Sequence, residues 1–404
     1  MRRISPTTFK IARRGTSREI NRQIALNLVR TRQPISRAEL ARLMGVRRGA
    51  ISLLVNELLG SGLIFEGAKG ESKRGRKPMH LYIETRMRCA LAIDINASGT
   101  LMMVTDLVGV PLLEVIEFPT SRHPHEMIKE LLERIRRTFA DHPEVGECAG
   151  IGVVVSGQVD LDSGRLLYSP TLGWRDVDLR SPLQAGTKLP VLVENSVKAC
   201  VLAQVWAVRG DAPVDGPVAF VNVSDGVGVG IAIDGKLLRG ANNIAGEFGH
   251  VPLNIYGPRC SCGQRGCFEA YVSKRAVIAR YLGTDPSWPE SAKPRKVTME
   301  DVVARAVRGE AQATEALHET AYYLGRGFAT IVKSLDPRRI YLGGEITAAW
   351  NLIGPQVRTA LREQALIPGA GETEILTVPL NEHPRLRGAA SLISSPAFAA
   401  PIVA

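Results

Sequence analysis

The sequence predicts two architectures in series, an N-terminal winged helix-turn-helix followed by an α/β body of two lobes. Three observations carry this. Residues 1–90 hold 20 Lys and Arg against 6 Asp and Glu, whereas the other 314 residues hold 31 against 34, so the whole basic excess lies in the first fifth of the chain. That same fifth reads as three short helices with a glycine turn before the last. Beyond residue 88 the texture changes to buried strands alternating with helices, and a second run of the same kind starts at residue 217.

Length and composition agree with more than one core. The chain has 404 residues, of which 45% are hydrophobic, enough for two or three domains. No run reaches the roughly 18 uninterrupted apolar residues of a membrane span, and the basic start MRRISPTTFKIARRG is followed by no apolar segment of a secretory signal. The expectation is a soluble, cytoplasmic protein. A basic module on a near-neutral body points to a phosphate-backbone partner for that module alone. A merely solvated basic tail would lack the apolar periodicity found next.

In residues 18–30, Ile20, Ile24 and Leu28 stand at four-residue spacing, the apolar stripe expected of a first helix. The segment ISRAEL then offers Ser36 as a cap, Glu39 as its capping-box partner and Ile35 to staple onto Leu40. Gly45 breaks the chain, and Ile51, Leu54, Val55, Leu58 and Leu59 mark the core face of a third helix. Arg47, Arg48, Ala50 and Ser52 fall off that face and are the candidates to enter a DNA groove. Two strands at 63–66 and 79–84 flank a basic loop. This predicts a wing, whose tip presents Lys73, Arg74, Arg76 and Lys77 to phosphates or a narrow minor groove.

In the body, CALAIDI, LMMVTDLVG and PLLEVIEFP read as three strands, residues 125–140 as an amphipathic helix, and GIGVVVSGQVD as one further buried strand. Two lobes of this kind leave a cleft suited to a small ligand. Cys260, Cys262 and Cys267 crowd into eight residues, with His250 ten residues upstream. Without a secretory signal a disulfide framework is not expected. One imidazole and three thiolates match a closed tetrahedral Zn2+ site, and Gly263 and Gly266 let the chain turn tightly enough for the sulfurs to converge.

The stretch from Gly246 to Glu269, GEFGH followed by CSCGQRGCFE, resembles the signature of the ROK family of repressors, open reading frames and sugar kinases, and the resemblance extends over essentially the whole chain. It implies an actin-like, ribonuclease H-like sugar-kinase body behind the winged helix. The domains expected are 1–86 for the DNA-binding module, 87–195 for the smaller lobe, with a C-terminal helix at 385–404 returning to it, and 196–384 for the larger lobe with the zinc. The resemblance further implies that Asn195, Glu247, His250 and Glu269 contact sugar hydroxyls, with His250 using its other ring nitrogen for zinc. Thr171, in SPTLGW, stands where the family usually has an Asn.

The kinase chemistry implied by the family is missing. The position of its catalytic Asp is Ser196, which is no competent base at neutral pH without a partner. The first phosphate loop reads Asp94-Ile95-Asn96-Ala97-Ser98 instead of a glycine-rich turn, the second carries Asp225, and the nucleotide loop carries Glu345. No catalytic residue is therefore assigned. The expectation is a sugar-responsive regulator, most simply a repressor, that binds operator DNA and a small carbohydrate as a homodimer or a dimer of dimers, with no membrane contact. The alternative is an active ATP-dependent sugar kinase with an added DNA-binding domain.

Overall fold

The computed structural model describes residues 15–69, 79–85, 87–207, 216–289, 291 and 296–398. The N-terminal module runs α1 (Thr16–Arg32), β1 (Ile35–Ser36), α2 (Arg37–Met44), α3 (Arg48–Gly60), β2 (Ile64–Lys69) and β3 (Met79–Ile83). The three strands form an antiparallel sheet in the order β1-β3-β2. Ser36 accepts the Glu39 N–H at 3.2 Å, which starts α2 as its capping chemistry requires. Glu39 itself lies 3.7 Å from Arg42 along the helix. Gly45 ends α2 in the left-handed region at φ 65.

The face of α1 differs from expectation. Ala25, Leu26 and Val29 are fully buried, whereas Ile24 is exposed and Ile20 and Leu28 are only half-buried. Residues four apart advance about 40° around a helix at each step, so an i, i+4, i+8 line slides off the core that a mixed three- and four-residue spacing keeps facing. On α3 the reading holds: Ile51, Leu54, Val55 and Leu58 are buried. This core also takes in Ala90 and Leu107, so the module packs directly on the body's first strands.

Two five-stranded mixed sheets of the same connectivity form the body. The first arises from β4 (Arg88–Asn96), β5 (Gly99–Asp106), β6 (Ile116–Phe118), α4 (Pro124–Asp141) and β7 (Glu147–Val155). A small sheet of β8 (Gln158–Asp160), β9 (Arg165–Ser169) and β10 (Trp174–Asp178) interrupts it before α5 (Arg180–Thr187), β11 (Val191–Asn195) and α6 (Ser196–Ala207). The order is β11-β7-β4-β5-β6, with β4 antiparallel to β5 and parallel to β7. Residues 150–160, read as one strand, are thus the end of β7 and all of β8, separated at Gly157, where a Cβ would press on the Tyr168 carbonyl. The stretch PLLEVIEFP supplies only the three residues of β6.

The second sheet contains β12 (Pro217–Val223), β13 (Val227–Ile233) and β14 (Lys236–Leu237). Helices α7 (Glu269–Val272), α8 (Lys274–Tyr281), α9 (Met299–Val307) and α10 (Ala311–Leu335) follow. Then come β15 (Arg339–Gly343), α11 (Trp350–Gln364) and β16 (Glu374–Thr377). The order β14-β13-β12-β15-β16 repeats the pattern of the first sheet. The last helix, α12 (Pro384–Phe398), packs against α6, β4 and β7, with the Ala389 carbonyl seated where only Gly152 of β7 leaves room. Burial of β4 on both faces, by α4 on one side and by α6 and α12 on the other, explains its unbroken apolar run.

Candidate functional site

The segment after β14 lies flat on β13. Gly246, at φ 98, and Gly249 each abut a β13 carbonyl, Val229 and Val227, where any side chain would collide. That contact fixes a short 3-10 turn, Glu247–His250. The cysteine loop is then folded by its own backbone. Cys260 N–H donates to Gln264 O at 2.8 Å, Gly266 N–H to Pro258 O at 2.8 Å and Phe268 N–H to Val251 O at 3.0 Å. Gly263 and Gly266 adopt φ 91 and φ 67, and a Cβ on Gly266 would run into Asn254 O. The buried Phe268 anchors the loop against Gly327 of α10.

This folding brings the His250, Cys260, Cys262 and Cys267 donor atoms within 4.8 Å of one another. Cys260 Sγ lies 3.7 Å from His250 Nδ1, and Cys262 Sγ 3.7 Å from Cys267 Sγ. Hydrogen bonding to the Cys260 sulfur raises the His250 pKa above its ordinary value. The same ring turns Nε2 toward Glu247, 4.0 Å away. One imidazole therefore faces the Cys260 sulfur with one nitrogen and a half-exposed carboxylate with the other.

The four residues expected to contact sugar are in different states. Glu247 is open, its side chain 49% exposed, and His250 is half-buried beside it. Glu269, the first residue of α7, is buried and its carboxylate is surrounded. It accepts Val227 N–H at 3.0 Å, the Ser261 hydroxyl at 2.8 Å and Arg275 at 3.2 Å, with Cys260 Sγ at 3.7 Å. Asn195 ends β11, donates through Nδ2 to Gly157 O at 2.8 Å and accepts the Val197 and Lys198 N–H groups at α6. Ser196 is 2% exposed, and Thr171 lies on the surface.

Several charge pairings of this region escaped the sequence reading. Glu194, buried at 1%, pairs with Arg239. Lys198, 5% exposed, donates to the main-chain and side-chain oxygens of Asn243. Burial lowers the Lys198 pKa, opposed by Glu194 and Glu247. Lys274 stands 3.0 Å from Asp225 and 3.1 Å from Glu345, joining the turn after β12 to the end of β15. Asp94 is buried, its carboxyl pushed up by desolvation and countered by Arg385 of α12 at 3.2 Å.

On the N-terminal module, Arg47, Arg48 and Ala50 are exposed at the start of α3, and the Ser52 hydroxyl donates to Arg48 O at 3.0 Å. Lys73, Arg74, Arg76 and Lys77 lie outside the described residues.

Residues 90–395 match the model of the ROK family. The chain belongs to the ROK family. It is 28% identical over 377 residues to the xylose repressor of Bacillus subtilis strain 168, covering 93% of this chain and 95% of that protein. The crystal structure of a ROK family transcriptional regulator, a homolog of the E. coli MLC protein, superposes with a TM-score of 0.77 at 25% identity, covering 95% of this chain and 97% of that one. A ROK family glucokinase from Streptomyces griseus, solved with glucose and AMPPNP, shares the fold at a TM-score of 0.61 and 24% identity, covering 75% of this chain and 98% of that one. The body of this ROK chain is thus a sugar-kinase-like α/β fold with mixed sheets. Among the described residues no helix is long and apolar enough to cross a membrane.

Proposed function

We propose that the chain is a carbohydrate-responsive transcriptional repressor that reads operator DNA through residues 1–86, a winged helix-turn-helix, and senses its effector in the cleft between lobes 87–195 and 196–384. The last helix joins the smaller lobe. The observation that carries this is the exposed N-terminal end of α3, where Arg47, Arg48 and Ala50 project from a module whose core is continuous with the body. The likeness to repressors over nearly the whole chain supports it. Arg47 and Arg48 suit base edges or phosphates, Ser52 a secondary contact, and Lys73, Arg74, Arg76 and Lys77 the backbone beside them. Two such modules on a homodimer would read paired half-sites.

His250, Cys260, Cys262 and Cys267 suit Zn2+ held as a structural brace, which would supply no chemistry beyond locking the cysteine loop and the His250 ring. Glu247 and His250 Nε2 then stand ready for sugar hydroxyls. Asn195 and Glu269 are already held by other partners, Asn195 by Gly157 O and Glu269 by Val227 N–H, the Ser261 hydroxyl and Arg275, so a sugar would meet both in fixed orientations. The effector leaves unphosphorylated, because the position of the family's catalytic Asp holds Ser196, a buried hydroxyl and not a carboxylate.

Selection of genomic DNA fragments on the purified protein tests this, followed by titration of pentoses, hexoses and N-acetylhexosamines. Specific fragments bound at roughly 10⁻⁸ to 10⁻¹¹ M and released by one sugar are the expected outcome. Sugar-dependent ADP formation by the pure protein would overturn the regulator reading in favour of a kinase.

A further inference from the structure

Helix α6 is gripped at its two ends by different parts of the molecule. At the N-terminal end, Asn195 accepts two α6 amides and donates to Gly157 O, in the turn between β7 and β8. One turn further in, Lys198 donates to Asn243, and Asn243 Nδ2 donates to Val159 O of β8 at 2.7 Å. Asn243 precedes Glu247 by four residues and is itself held in the left-handed region at φ 56. Loops from both large sheets therefore meet on the first turn of α6, beside the carbohydrate cleft.

About 18 Å away along the axis, at the rise of 1.5 Å per residue, α6 ends at the N-terminal module. Arg30 of α1 donates through Nη1 to Trp206 O at 2.8 Å, and its guanidinium lies 5.1 Å from the centre of the Trp206 ring. Trp206 packs against both the module's core and the cluster formed by α6, α12 and β4. Because Arg30 holds a main-chain carbonyl, it follows the helix itself and not just a mobile side chain.

Between its ends α6 has no slack. A Cβ on Gly230 of β13 would lie 2.5 Å from Val197 O, and one on Gly388 of α12 would lie 2.5 Å from the Ala199 carbonyl carbon. Elements packed backbone to backbone in this way shift as units rather than deform. A ligand that changes the separation of the Gly157–Val159 and Asn243–Glu247 loops must break or rotate the Lys198–Asn243–Val159 bridge, and the displacement emerges at Trp206.

We propose that α6 transmits occupancy of the cleft to the DNA-reading helices, with the Arg30 clasp on Trp206 as its output contact. This rests on the regulator reading above, but its test requires neither effector nor operator. Hydrogen exchange of the α1 amides is followed in the full chain for wild type, Asn243→Gly, Arg30→Gln and the double variant. Asn243→Gly removes the pocket-side bridge and suits the left-handed backbone. It should speed α1 exchange by about fivefold or more, the lower bound of ordinary coupling between sites, and add less than about twofold once Arg30 is Gln.

Lys198→Met, which cuts the bridge from the helix side, should reproduce the Asn243→Gly effect. If Arg30→Gln alone brings α1 to the unfolded rate, Arg30→Lys replaces it under the same criterion. Unchanged α1 exchange in Asn243→Gly, or a full additional effect in the double variant, overturns the proposal while leaving the regulator reading intact. A chain that passes this test yet selects no DNA fragment and responds to no sugar keeps the coupling and loses the regulator reading.

Discussion

Loading the cluster of His250, Cys260, Cys262 and Cys267 with Zn2+ and then stripping it should lower the unfolding temperature of the body by roughly 8–16 °C, from linkage and domain-size arguments. In a tetrahedron with Zn–S near 2.3 Å the sulfur-to-sulfur edge is about 3.8 Å. Two edges already measure 3.7 Å, and the longest, within 4.8 Å, closes by about 1 Å. The loop is preorganised by its own hydrogen bonds, so little binding energy is lost to folding it. With a dissociation constant near ~1 nM and free metal near ~1 μM, linkage contributes about 4 kcal/mol. At roughly 2–4 °C per kcal/mol for a body of this size, the shift follows. The assay is calorimetry before and after chelation, with the released metal counted colorimetrically, and recovery on adding back zinc. A protein that carries no metal when zinc is supplied, or an unfolding temperature unmoved after complete removal, would refute the reasoning.

Gly266→Ala should abolish metal retention, because the side chain strikes Asn254 O at a left-handed position, and metal per chain reads this directly. Ser36→Ala should cost the N-terminal module about 1 kcal/mol, seen as a lower denaturation midpoint, since it frees the Glu39 N–H. Arg239→Met should destabilise by about 3 kcal/mol by leaving Glu194 buried and unpaired, whereas the double variant with Glu194→Gln should recover most of that loss in urea unfolding. Ser196→Asp should produce no sugar-dependent ADP, because the Asp225–Lys274–Glu345 group remains; turnover from this single change would show that only the base was missing.

What was legible in the sequence was local. The Ser36 cap, the Gly45 stop and the apolar face of α3 are each decided within a turn or two of helix, and each is found where the pattern puts it. The convergence of His250 with the three cysteines was equally legible, because Cys260, Cys262 and Cys267 span eight residues and the glycines between them declare the turns. The α1 stripe failed because spacing of four alone does not say on which side of the line the core lies. Arg30–Trp206 and Arg385–Asp94 were invisible for a different reason: nothing near either residue records a partner brought up by tertiary folding. Glu269 shows a third limit. Its position in the motif was legible, but not that Val227, Ser261 and Arg275 already satisfy it.

The altered phosphate loops acquire a meaning from these long-range pairs. Asp225 and Glu345 looked from sequence like negative charges placed to repel a nucleotide, and a bare pair of carboxylates at two strand ends would also repel each other. Lys274, the first residue of α8, lies between them. The Glu345 pKa is lowered even though burial pushes it upward, because hydrogen bonds from Ser224 and its own backbone, together with the charge of Lys274, favour the ionised form. At the other loop Arg385 of α12, 3.2 Å away, opposes the upward push that burial gives the Asp94 carboxyl. Asp225 and Glu345 are therefore occupied in tying α8 to the second sheet, and Asp94 in tying α12 to the first. A phosphate approaching either place would have to displace a paired cation from an acid that is partly or wholly buried, and it would then face that acid unscreened. Asp94, Asp225 and Glu345 are thus each paired with a cation, while Glu247 and His250 keep an open carboxylate and a half-buried imidazole.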